Sequence, residues 1–70
     1  MNKKELRAQM IRKDCTVNDI CTALEISRSA WFRKMRGTSQ FTQGEICTIR
    51  SVLNLDDHQT AEIFFAENVS

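Results

Sequence analysis

The sequence has no proline, no tyrosine and only two glycines in 70 residues. A chain without proline has few enforced helix breaks, so a small helical domain is the first expectation. No uninterrupted apolar run approaches the roughly 20 residues that cross a bilayer. The opening Met-Asn-Lys-Lys-Glu leads into mixed polar residues, not into the apolar stretch of a secretion signal. Only three cysteines are present, Cys15, Cys21 and Cys47, and an odd, scattered set makes a poor disulfide framework. These absences lead us to expect a chain of the cytosol with no membrane partner. A large two-lobed enzyme is excluded by length alone.

The 41% hydrophobic and 27% charged content is that of a globular chain, and residues 1–70 are expected to form a single domain. The net charge of +1 hides an asymmetry. Residues 1–37 hold nine basic side chains against four acids, a balance of +5. Residues 38–70 hold Arg50 against five acids, a balance of −4. Such a split on a nearly neutral chain points to a directed electrostatic face.

Helix caps supply the punctuation. Asn2 with Glu5, Thr16 with Asp19, Ser27, Thr42 with Glu45, and Asp56 with Gln59 each open a segment of helical apolar spacing. Gly37 and Asn54 suit helix ends. The pattern predicts an all-α fold of five short helices at about 2–13, 17–24, 28–36, 43–53 and 57–67, with no strands. Leu6, Ile20, Leu24, Ile26, Trp31, Met35, Ile46, Ile49 and Leu53 are expected to share one core. Met10 and Ile11 join Leu6 on the apolar face of the first helix. The triplet Ile63-Phe64-Phe65 spans about 200° of helix, too wide for one contact face, so it is either wrapped by the core or covered in part by a second copy.

Residues 16–37, TVNDICTALEISRSAWFRKMRG, carry the most information. Two short helices flank Glu25-Ile26-Ser27. Ile20 and Leu24 face inward, Cys21 supplies the small residue that lets two helices approach, Ile26 plugs the turn and Trp31 anchors the second helix. That is the construction of a helix-turn-helix. The second helix then projects Arg28, Ser29, Phe32, Arg33 and Arg36 outward.

This segment resembles the turn and recognition helix of the lambda-repressor-like helix-turn-helix domains, the Cro and repressor class of temperate phages. The run ISRSAWFRKMRG carries the likeness, and FTQGEI and LDDHQTAEIFFAE are similar to small phage regulators of Gram-positive hosts. The resemblance implies a five-helix domain whose third helix enters the major groove of double-stranded operator DNA, in the cytoplasm of a bacterial host. Ser27, Arg28, Ser29, Phe32, Arg33 and Arg36 are the expected DNA contacts. The chain departs from the family at Val17, where a phosphate-contacting Gln is frequent, at Glu25, where Gly is usual, and at Phe32, where a small or polar residue is commoner.

The alternative function is an anti-repressor. In that reading Arg28, Phe32, Arg33 and Arg36 bind a companion phage repressor and mask its DNA-reading helix. Near-neutral charge, Phe32 on the reading face and Val17 favour it; the basic half and the intact scaffold favour DNA. Phe32 itself has three readings: contact with a thymine methyl, an anchor for a protein partner, or a ring folded over the bundle edge. Lys3, Lys4 and Lys13 are read as solvated or weak phosphate contacts, and Thr38, Ser39 and Gln40 as a polar loop within reach of a phosphate. Cys15, Cys21, Cys47 and His58 lack metal-site spacing, so no metal or cofactor is expected. No nucleophile, base and orienting group can be assembled, so no enzyme is expected either.

Overall fold

In the computed structural model, which describes residues 1–65, the chain folds as five α-helices: α1 (Lys3–Arg12), α2 (Val17–Leu24), α3 (Arg28–Met35), α4 (Gln43–Leu53) and α5 (Asp57–Phe64). No strand occurs among the described residues. α2 and α4 have the expected bounds. Asn2 and Lys13 flank α1 as caps, and Arg36 is the C-cap of α3. Residues 66 and 67, expected to close the last helix, lie outside the described residues; Phe65 is the C-cap of α5.

Each helix starts for a local reason. Thr16 Oγ1 accepts from the Asp19 amide at 3.1 Å, and Asp19 Oδ2 accepts from the Thr16 amide at 3.0 Å. The same reciprocal box joins Thr42 with Glu45 and Asp56 with Gln59. Asn2 and Ser27 accept from the amides of Glu5 and Ala30. These bonds satisfy amides that a helix start leaves without partners. Before every cap from α2 onward stands an apolar residue, Cys15, Ile26, Phe41 or Leu55, and each packs on or in the core. The residue four beyond each of the first three caps is Ile20, Trp31 or Ile46. This is the spacing of a hydrophobic staple, which sets the angle at which the chain enters a helix.

The corners use left-handed backbone. Asp14, Glu25 and Asn54 have φ of 57°, 57° and 52°, and Gly37 has φ of 87°. Glu25 ends α2 where the resemblance favours glycine, and a residue with a Cβ costs about 1 kcal/mol in that conformation.

The core consists of Leu6, Met10, Ile20, Cys21, Trp31, Met35, Ile49, Leu53, Leu55 and Ile63. Leu24 and Ile26, expected inside, lie half-buried at its edge, and Ile46 is also half-buried. Ile11 departs furthest: it is 80% exposed. At 100° per residue it stands about 140° from Leu6, beyond the stripe that faces the other helices. Gln9, about 60° to the other side of Leu6, is buried instead, and its amide donates to Glu5 Oε2 at 3.0 Å. The triplet near the end divides: Ile63 is buried, Phe64 half-buried, and Phe65 61% exposed.

The closest helix pairs are α2 with α4, α1 with α5 and α2 with α3. Cys21 is buried between α2 and the start of α3, its thiol 3.9 Å from the Ser27 carbonyl. Lys13 turns inward: its Nζ donates to the Leu53 carbonyl at 2.6 Å, satisfying an end group of α4. No helix among the described residues is long and apolar enough to cross a membrane.

Candidate nucleic-acid interface

α3 is anchored from below. Trp31 is 2% exposed, and its indole meets the Phe41 ring edge-on at 5.6 Å; Phe41 in turn meets Phe64 edge-on at 5.7 Å. Met35, one turn on from Trp31, is also buried. These two residues fix the rotation of the helix about its own axis. At 100° per residue, Arg28, Phe32, Arg36, Ser29 and Arg33 then fall within an arc of about 140° that begins beside Met35 at Arg28 and reaches the side opposite the buried pair at Arg33. All five are exposed, Phe32 at 44%. Phe32 thus stands on the outward face and is not folded into the core.

The expected contacts do not all stand alike. Ser27 is exposed at the start of α3, but its hydroxyl is engaged by the Ala30 amide at 3.1 Å. Arg28 Nη1 donates to Asn18 Oδ1 at 3.4 Å, tying the first turn of α3 to the first turn of α2. Ser29, Arg33 and Arg36 point outward, and among the described residues no acid lies within ion-pair distance of Arg33 or Arg36. Val17 packs half-buried against the core, so the first turn of α2 offers no side-chain donor there.

The loop after α3 folds back beneath it. The amides of Thr38 and Ser39 donate to the Arg33 carbonyl at 3.0 and 3.4 Å. Thr38, Ser39 and Gln40 are exposed. Lys34 does not belong to the outward arc. Its Nζ lies 3.0 Å from Glu45 Oε1, 3.2 Å from the Gln40 carbonyl and 5.7 Å from the centre of the Phe41 ring. The clamp joins α3 to the start of α4 and holds the loop between them. Burial alone would raise the Glu45 carboxyl. The Thr42 amide, the hydrogen bond and charge of Lys34, and the Thr42 hydroxyl outweigh burial and hold it below its ordinary value.

Sequence reasoning missed Lys34 and Phe41 as structural residues. The signal for Phe41 was present, since it directly precedes the Thr42 cap and stands five before Ile46. For Lys34 the local signal is absent, because its partner lies on another helix.

Beside this face runs an apolar groove of about 320 Å³. Trp31 and Met35 of α3 and Met10 of α1 form its floor, and Ile11 and Phe32 stand at its sides. Cys15, Thr16 and Val17 also line it, and Arg7 is the cation among the lining residues. Burial, and then the nearby Asp19 charge, push the Cys15 thiol up, so it stays protonated and acts as an apolar wall. Burial likewise pushes the Cys21 thiol up, against a smaller opposing effect of Arg28. The remaining titratable groups singled out in the sequence lie apart from the face. Cys47 is exposed on α4, and His58 is exposed in the first turn of α5 beside Glu62 at 3.5 Å. No family model, curated protein or solved structure matches the chain.

Proposed function

We propose that the chain is a small phage-type transcriptional regulator that binds operator DNA through a lambda-repressor-like helix-turn-helix formed by α2 and α3. The observation that carries this reading is the outward arc of α3. It holds three arginines and a serine but no acid, on a helix whose rotation is fixed by Trp31 and Met35. Residues near the start of a recognition helix reach base edges, which assigns Arg28 and Ser29 to bases. Arg33 and Arg36, further along, pair with guanine edges or phosphates. Thr38, Ser39 and Gln40 lie in the loop that follows and add neutral donors for the backbone. An operator of two half-sites calls for two copies; the exposed Phe65 ring is the apolar surface offered for a homodimer.

The decisive experiment is a gel shift of the purified protein on its own promoter region, with and without the neighbouring repressor. A shifted band that weakens with salt supports operator binding, because each phosphate contact releases counterions. No shift on any native promoter fragment at low salt rejects it for this chain alone.

A second reading is favoured by one observation, the exposed ring of Phe32 among arginines. As an anti-repressor, the chain would place Arg28, Phe32, Arg33 and Arg36 against a companion repressor and cover that protein's reading helix. Phe32→Ala would then abolish co-elution with the repressor while leaving the fold intact.

A further inference from the structure

The groove between α1 and α3 differs in chemistry from the arginine arc beside it. α1 and α3 are not among the closely packed helix pairs, and the space between them stays open. Its floor is the core itself, and its sides are the two apolar residues Ile11, 80% exposed, and Phe32, 44% exposed. A duplex presents charged phosphates and polar base edges, and thymine methyls are its one apolar feature in the major groove. DNA therefore cannot desolvate a surface that runs from Phe32 across to Ile11 on another helix. Apolar side chains of a protein can. Two methionines at the floor suit such an occupant, because their flexible thioethers adapt to varied shapes.

The charge around the groove restricts the occupant further. No Asp or Glu lines it. Arg7 is exposed at its edge, and Arg28 and Arg36 flank Phe32 on the adjoining side of α3. Among the described residues none of these three arginines has a carboxylate within ion-pair distance. At about 320 Å³ the groove lies at the lower end of sites that seat a compact ligand, enough for a few anchoring side chains.

We infer that this groove docks a short amphipathic helix of a partner protein, with apolar anchors three or four residues apart and acidic residues beside them. Protein docking here rests on the second reading of α3 given above and adds the site and the chemistry of what fills it. Because Phe32 belongs both to the groove and to the outward arc, a docked helix covers part of the DNA-reading face, and the two ligands exclude each other.

The test is selection of displayed random peptides about 16 residues long, some four helical turns, on the purified full-length protein. The strongest peptide is then synthesised and titrated while Trp31 fluorescence is followed, since the single tryptophan forms the groove floor. The selected sequences should share paired apolar anchors flanked by Asp or Glu. Ile11→Gln and Phe32→Ala should each weaken the peptide roughly ten-fold or more. Arg7→Gln should weaken it less, and its effect should shrink as salt rises. Ile11→Gln touches only an exposed residue, so its melting temperature should match the parent's. A selection without a shared motif, a basic motif, or a peptide indifferent to Ile11→Gln overturns the inference. So does self-association that Ile11→Gln abolishes, which would make the occupant a second copy. Gel shifts with Ile11→Gln separate the two ligands: unchanged DNA binding supports a distinct protein site, and equal loss shows that the groove belongs to the DNA interface. Failure of the parent protein to shift any promoter fragment would reject operator binding without altering the peptide result.

Discussion

Lys34 and Glu45 form the one ion pair among the described residues in which both side chains are largely withdrawn from solvent. The Thr42 amide meets the same oxygen, Glu45 Oε1, at 2.8 Å, so one atom closes the cap of α4 and locks α3 to it. Removing either partner leaves the other charge poorly solvated. Lys34→Ala should cost about 2 kcal/mol, measured by urea unfolding. The exposed pair of Arg50 with Asp57 should contribute less than about 1 kcal/mol.

The same contact predicts an acid limb. Glu45 and Asp19 both ionise more readily in the folded chain than their ordinary values of 4.5 and 3.8. For Asp19 the cause is the Thr16 amide, then the Thr16 hydroxyl. A lowered folded value means the stabilisation is complete above those ordinary values and is lost as pH falls through the folded ones. Thermal melts should therefore be nearly flat in this contribution above about pH 5 and should fall steadily below it. Glu45→Gln should make that fall shallower.

Trp31 and Phe32 are neighbours with opposite roles, and alanine at each should separate them. Trp31→Ala removes the centre of the core and should cost about 3–5 kcal/mol, enough to unfold so small a domain. Phe32→Ala should change stability by less than about 1 kcal/mol. Equal melting temperatures for the two variants would contradict the assignment of Trp31 to the core.

Arg33→Ala should lower affinity for an operator by about 1–3 kcal/mol and relax specificity at one position if Arg33 reads a base. If it meets a phosphate, the loss should be uniform across sequences, with the salt slope reduced by about 1. Titrations on two operator variants at two salt concentrations distinguish the outcomes.

Glu25 holds left-handed backbone without being glycine. Glu25→Gly should relieve about 1 kcal/mol of strain while adding freedom to the unfolded chain, for a net gain of a few tenths of a kcal/mol and a small rise in melting temperature. A lower melting temperature would mean that the Glu25 side chain has a stabilising role.

Caps made the helices legible in the sequence, because a cap is a bond between residues three apart. The bounds of α2 and α4 follow directly from Thr16, Thr42 and Asn54. Burial was less legible, because it depends on which side of a helix meets another. Hydrophobicity alone points Ile11 inward, but its angle about the helix places it outside. Leu55 is absent from the expected core, yet it is buried just before the Asp56 cap. The outward arc of α3 was readable once Trp31 was assigned inward, since helical geometry then dictates the rest. The groove was not readable: it forms between helices whose separation is decided by how α1 packs on α5 and α3 on α2.

That packing of the first helix on the last has a consequence for biosynthesis. The Asn2 amide donates to the Ile63 carbonyl at 2.7 Å, so the beginning of the fold is closed by nearly its last described element. During translation α1 emerges with Leu6 and Met10 uncovered, and α5 follows only after some 45 further residues have been added. At about 5–20 residues per second that delay lasts on the order of seconds. α2 and α3 are made in the interval and can meet, while the apolar side of α1 stays uncovered until α5 arrives.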